Sequence, residues 1–189
     1  MTELGLGMIH AWEAAGARPS AASANGVVLD EMRAALEDNF PLRVVASLPI
    51  HVAGDEWDAA RRQHNAPLML RRVLKAGDLH PHKLLAVTDC DLFIPMLSFV
   101  YGQAQLGGRA ALVSLARLRQ EFYGLPANPA LLLARSRKEA IHETGHLFGL
   151  VHCSDAECAM SLSTNVRQID LKNGALCSAC RAQVWEGLL

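Results

Sequence analysis

The sequence predicts an α/β (α+β mixed) fold: a twisted mixed, mostly parallel β-sheet with an antiparallel edge strand, helices packed on it, and a small cysteine-rich C-terminal subdomain. Three observations predict it. Short apolar runs alternate with segments of helical spacing through the first half of the chain, the order of a right-handed parallel layer. A Gly107-Gly108 pair then joins two β-rich runs as a hairpin, so one of them must run antiparallel. Finally, four of the five cysteines follow His152.

The elements are expected in this order. Residues 4–10 form a short apolar run and a first strand. Residues 18–26, rich in Ala, Ser and Pro, read as a loop. Residues 27–40 place Val28, Met32, Ala35, Leu36 and Phe40 at helical spacing, and Pro41 ends that helix. Residues 42–48 are β-rich and close at Pro49. From 55 to 75 the pattern is helical again, with Arg61, Arg62, Arg71 and Arg72 on the wet face and Leu68, Leu70 and Leu74 on the dry one. Pro67 breaks this stretch or begins its second helix. Residues 83–88 are a continuous apolar run that belongs deep in the sheet. Residues 97–104 and 110–114 form the hairpin. Its edge strand either accepts an extended peptide by strand addition or is an ordinary sheet edge. Residues 128–149 make the long helix, and 181–189 a short terminal one.

At 189 residues the chain reads as one domain, long enough to bury roughly two thirds of its unfolded surface. Its two parts are expected to be residues 1–149, with the sheet and the long helix, and 150–189, with the cysteines. A hydrophobic content of 51% and a charged content of 20% exclude a disordered chain. The net charge of −1 gives no electrostatic reason to expect nucleic acid or an anionic membrane as partner. No run approaches the ~20 apolar residues that span a bilayer. The first residues lack a basic region before an apolar one, so a cytoplasmic location is expected. There, cysteines serve as metal ligands more often than as disulfides.

Chemistry concentrates in Ile141-His-Glu-Thr-Gly-His-Leu-Phe-Gly-Leu-Val-His152. His142 and His146 lie four apart and project from one helix face, where two neutral imidazoles can grip one zinc ion. Glu143 stands beside them as a non-ligand carboxylate. Gly149 ends the helix and His152 follows as a third ligand. Three protein ligands leave the fourth zinc position open, the arrangement of a catalytic site. Ile141, Thr144 and Phe148 trace the opposite, core-facing path. Gly145 inside the helix costs about 1 kcal/mol relative to Ala, and its missing side chain allows another backbone to approach.

Cys153, Cys158 and the pair Cys177-Ser-Ala-Cys180 can complete a tetrahedral zinc with no open position, a structural site. Such a metal would pin the irregular tail against the terminal helix, which is too short to fold alone. It would also fix the backbone beside His152. A redox role for Cys177 and Cys180 competes with this, but no βαβ unit leads into the pair. Cys90 is expected to be a buried, inert thiol. His80 and His82 could form a small metal-binding loop or be ordinary surface histidines, and His10, His51 and His64 lack partners at ligand spacing.

These motifs together resemble the archaemetzincins. His142-Glu-x-x-His146-x-x-Gly149-x-x-His152 matches the metzincin zinc signature. The run of Cys153, Cys158-x-Met160 and Cys177-x-x-Cys180 is similar to the archaemetzincin tail, and Phe99-Val-Tyr-Gly102-Gln-Ala and Val113-Ser-Leu-Ala-Arg-Leu118 resemble the family's core. The resemblance implies a zinc metallopeptidase with two zinc ions per chain. His142, His146 and His152 would hold the catalytic ion, Glu143 would be the general base, and Cys153, Cys158, Cys177 and Cys180 would hold the structural ion. Met160 would pack beneath the catalytic metal as the Met-turn residue. A peptide or protein substrate is implied, with aminopeptidase-like action on short peptides. The alternative is a zinc-stabilised peptide- or protein-binding module that does not cut. Nucleic-acid binding through the cysteine site has little support, since Arg167, Lys172 and Arg181 are the only basic residues after Cys153 and Trp185 the only aromatic one.

Overall fold

The computed structural model describes residues 2–11, 22–46, 50–52, 55–75 and 83–186. In chain order these form β1 (Thr2–Ala11), α1 (Ala22–Asn39), β2 (Leu42–Ala46), β3 (Ile50–Val52), β4 (Trp57–Asp58), β5 (Gln63–Asn65) and α2 (Ala66–Lys75). There follow β6 (Lys83–Thr88), β7 (Leu92–Ile94), β8 (Leu97–Val100), β9 (Gly102–Ala104), β10 (Ala110–Ser114), two 3-10 turns, α3 (Pro129–Leu147), α4 (Val166–Leu171) and α5 (Ser178–Glu186).

The main sheet has the order β2-β1-β6-β10-β9, with β3 continuing alongside β1. Every neighbouring pair in it is parallel except β9 with β10, so the antiparallel strand lies at the edge as expected. Side chains alternate between its faces. Leu4, Leu6, Leu85, Val87, Ala111 and Val113 enter one core cluster, while Ile9, Leu84, Ala86, Ala110 and Leu112 enter another. Helices α1 and α3 cover the first face and α2 the second. Burial on both faces is why β6 and β10 read as unbroken apolar runs. Among the described residues no helix is long and apolar enough to cross a membrane.

Several boundaries differ from the sequence reading. Helix α1 begins at Ala22, inside the stretch expected to be a loop, and residues 18–21 lie outside the described part. Tertiary bonds favour the longer helix: Asn25 donates to Asp89 at 2.9 Å and accepts from Arg119 at 3.2 Å. Residues 47–49, the expected end of the second strand, are also outside the described part. The stretch 55–65 is not helical. It forms the antiparallel pair β4–β5, turned by Asp58, whose carboxylate accepts from the N–H groups of Ala60 and Arg61 at 2.9 and 3.0 Å. Arg62 adopts a φ of 56° there, and Trp57 packs on His64 at 4.9 Å. Pro67 stands near the start of α2, where Asn65 caps the Leu68 N–H at 3.1 Å.

Residues 97–104 are two strands, not one. β8 pairs with β7 in a second, four-stranded sheet of order β4-β5-β7-β8, whereas β9 joins the main sheet. The switch falls at Tyr101, whose carbonyl accepts the Ser114 N–H at 2.8 Å. Helix α5 starts at Ser178, three residues before the expected 181, and residues 187–189 are outside the described part. The tail packs into the main core through Leu150, Ala159, Met160, Ile169, Leu176 and Val184.

Candidate metal centres and the cleft

Helix α3 carries the first centre, and its two ends are fixed by different parts of the chain. At the start, the Asn128 side chain accepts from Leu131 N at 3.0 Å and Pro129 occupies the first turn. Arg135, buried in its first half, makes a bidentate pair with Asp170 of α4 (2.7 and 2.7 Å) and also donates to Leu118 O at 2.9 Å. At the far end Lys83 donates to Leu147 O and Gly108 O, both at 2.8 Å, while Gly107 N donates to His146 O at 2.8 Å. The β9–β10 turn and the central strand thus hold the helix terminus. Gly149, at φ 86°, makes the left-handed turn that stops the helix, and Leu150 N reaches back to Gly145 O at 3.0 Å.

That turn brings three rings together. The ring centroids of His142, His146 and His152 are 4.7, 5.3 and 5.1 Å apart, and their candidate ligand atoms lie within 4.8 Å of one another. His142 Nδ1 faces Ala159 O at 2.9 Å, and His146 Nδ1 faces Leu150 O at 2.7 Å. A carbonyl only accepts, so each Nδ1 carries the proton and each Nε2 carries a lone pair. Those two Nε2 atoms are 3.2 Å apart. Two lone pairs at that distance repel unless a cation lies between them. The spacing is close to the edge of a tetrahedron with Zn–N of 2.0–2.1 Å, about 3.3 Å. Burial pushes the His142 imidazole down to about 3, and His146 and His152 are lowered by the same cause, so all three stay neutral, as a ligand must. The residues fit a zinc ion.

Glu143 is buried one residue along, and its Oε2 has no hydrogen-bond partner. Burial first, and then the neighbouring Glu139 carboxylate, raises the Glu143 carboxyl well above its ordinary value. Its place depends on Gly102 of β9. A Cβ there would stand 2.5 Å from Glu143 Oε1 and 2.5 Å from Leu112 O. In the sequence Gly102 stands out only within the stretch Phe99–Ala104 that resembles the family. Its role shows in space, across the sheet from the motif.

The second centre lies beyond the helix. Cys153 Sγ is 3.9 Å from Cys177 Sγ, and Cys158 Sγ is 3.8 Å from Cys180 Sγ, with all four sulfurs within 4.8 Å. A Zn–S bond of 2.3 Å gives a tetrahedral edge of about 3.8 Å, so this donor set also fits zinc. Backbone N–H groups of Met160 and Cys177 point at Cys158 Sγ from 3.4 and 3.3 Å, as they would toward a thiolate. Burial raises the Cys158 and Cys180 thiols, while the Cys180 backbone N–H lowers Cys177. Cys90 is half-buried, where full burial was expected, and belongs to neither group.

Three consecutive residues serve both centres. Cys158 belongs to the sulfur group, Ala159 O orients His142, and Met160 is fully buried with its sulfur against Gly145. The close neighbour of Gly145 is therefore the Met160 side chain, not the backbone that the sequence led us to expect. Met160 O also accepts from Cys153 N at 3.0 Å, which closes the loop beside His152. His80 and His82 lie outside the described residues, and so do the side chains of His10 and His51.

A cleft of about 710 Å³ runs along this site. Its walls include the edge strand β9, the three histidines and Glu143, with Glu139 and Lys172 among the deeper residues.

Residues 66–186 match peptidase family M54. The chain belongs to that family, the archaemetzincins. It is 44% identical over 124 residues to an archaemetzincin of Methanocaldococcus jannaschii, covering 66% of this chain and 67% of the relative. To that of Methanopyrus kandleri it is 45% identical over 135 residues, 71% of each chain. The crystal structure of a Methanopyrus kandleri archaemetzincin superposes with a TM-score of 0.82 at 30% identity, over 99% of this chain and 95% of that one. An Archaeoglobus fulgidus archaemetzincin complexed with malonate gives 0.75 at 30% identity, over 96% and 99%. The chain is accordingly a zinc metallopeptidase of this family on a mixed α/β scaffold.

Proposed function

We propose that the three-histidine group is the catalytic zinc site and the four-cysteine group a structural one, so that each chain holds two zinc ions. In this reading residues 150–189 act as a zinc-held subdomain on the body formed by 1–149. One observation carries most weight: two Nε2 lone pairs meet at 3.2 Å inside the cleft that also holds the unpartnered Glu143 Oε2.

Zinc bound there supplies Lewis-acid activation of a water molecule and of a peptide carbonyl. Glu143 takes a proton from the attacking water and later gives it to the leaving amine. Burial raises the proton affinity of this carboxyl above that of an exposed glutamate, which favours its accepting a proton. Ala159 O and Leu150 O keep His142 and His146 in the required tautomer and orientation. Met160 supports the helix from below through its contact at Gly145. An extended peptide adds to the outer edge of β9, whose residues 102–104 line the cleft, and so lies across Glu143.

Aminopeptidase-like trimming of short peptides is the narrower form of this reading, and peptides with free and acetylated N-termini test it. The broader form is tested by peptide-library cleavage with wild type and Glu143→Ala. The variant is expected to keep its zinc and lose hydrolysis. Undiminished turnover would overturn the role of Glu143. Zinc binding with no cleavage of any peptide by wild type would favour a binding module instead.

A further inference from the structure

Beneath the histidines the cleft contains two buried charges that the catalytic reading leaves unused. Glu139 lies one turn before Glu143 on α3 and is 3% exposed. Lys172, just past α4, is also 3% exposed and lines the same cleft. Lys172 Nζ is 3.8 Å from Glu139 Oε1, beyond hydrogen-bond reach, and that oxygen has no hydrogen-bond partner. The ammonium donates to Ala159 O at 3.3 Å, which leaves two of its three donors for other partners. Ala159 O is the same atom that orients His142, so the pair sits next to the proposed catalytic metal. The two other cations nearby are already engaged. Arg135 is held by Asp170, and Lys138 donates to Asp170 O at 2.9 Å. Glu143 also lines the cleft, one turn further along α3, but belongs to the proposed catalytic centre; the floor beside it is one carboxyl and one ammonium.

Resting on the peptidase reading above, we propose that Glu139 and Lys172 form the floor of a specificity subsite that selects an uncharged, amide-bearing substrate side chain, Gln or Asn, beside the scissile bond. An amide oxygen accepts from Lys172 Nζ while its NH2 donates to Glu139 Oε1, which satisfies both floor groups together. A cationic side chain would be pressed against Lys172 and an anionic one against Glu139, in surroundings where the charge is poorly screened. An aliphatic side chain would leave both floor groups without a partner. The cleft walls above the floor include Leu97, Val100, Leu106, Val151 and Leu162, which suit the methylene stem of such a residue.

The test is cleavage of a peptide library varied at the residues flanking the cut, read by mass spectrometry for zinc-loaded wild type, Glu139→Gln and Lys172→Met. Wild type is expected to favour Gln or Asn about 10-fold or more over Glu, Lys or Leu at one flanking position. The two variants should move in opposite directions. Glu139→Gln leaves the ammonium alone and shifts preference toward Glu and Asp, and Lys172→Met shifts it toward Lys and Arg. Should Lys172→Met fail to fold by zinc content and circular dichroism, the near-isosteric Glu139→Gln decides the matter alone. A uniform loss of rate across all side chains, with no change in charge preference, would overturn the subsite. A wild type that leaves the whole library intact would overturn the peptidase reading and this proposal with it. Cleavage without the charge shifts would overturn this proposal only.

Discussion

Replacing Gly102 with Ala should disable the site from the opposite side of the cleft. The added Cβ would stand 2.5 Å from Glu143 Oε1, 2.7 Å from its Cδ and 2.5 Å from Leu112 O. Ordinary contacts of this kind are about 3.5 Å, so roughly 1 Å of movement is needed. Leu112 lies in β10, an interior strand paired on both sides, and its carbonyl has little freedom to yield. The Glu143 carboxylate must therefore give way. A displacement of about 1 Å in a reacting group costs on the order of 100-fold in rate, and overpacking of this size costs about 1–3 kcal/mol of stability. Steady-state kinetics on a cleaved library peptide, with zinc content and thermal unfolding measured alongside, would read both effects. Because the loss acts through Glu143, Gly102→Ala should cost no further activity in a Glu143→Ala background. Wild-type turnover in Gly102→Ala, or additive losses in the double variant, would refute the reasoning.

Two other outcomes follow from the links between the centres. His146→Ala should remove one zinc and leave the cysteine site filled, whereas Cys177→Ser should lower zinc content and also activity, because residues 153 and 158–160 connect the cysteine group to His152, His142 and Gly145. Elemental analysis with activity assays on both variants checks this asymmetry, and a fully active Cys177→Ser would contradict it. In the metal-free protein the raised Glu143 carboxyl makes a stability contribution that is fully present below pH 4.5, its ordinary value, and is lost as pH rises toward its folded value. Glu143→Gln should therefore become progressively more stable than wild type as pH increases above 4.5. Melting temperatures measured across that range with chelator present would show a widening gap, and a constant gap would contradict it.

Much of this was legible in the chain because local pattern and tertiary role coincide there. Lys83–Thr88 and Ala110–Ser114 are apolar without a break because both sheet faces are covered, and the His142–His152 spacing is imposed by one helical turn followed by a glycine turn. Residues 55–65 were illegible because strands of two and three residues carry no usable period. Their turn also lacks Gly or Pro and relies on the Asp58 carboxylate. The break at Tyr101 arises from a change of partner sheet, which leaves no mark on hydropathy. The roles of Gly102, Glu139 and Lys172 leave no mark in the sequence for a similar reason. Gly102 is defined by Glu143, 41 positions away, and the Glu139–Lys172 pair by the approach of α4 to α3. Once the fold is in hand, a glycine on the strand facing α3 is the signal to look for.

The most direct test of the two-zinc account is diffraction from crystals of the zinc-loaded protein at the zinc absorption edge. Two anomalous peaks are predicted, one bounded by His142, His146 and His152 and the other by the four cysteine sulfurs, with the first missing in His146→Ala. A single peak in wild type, or one metal shared between histidine and cysteine ligands, would contradict the account.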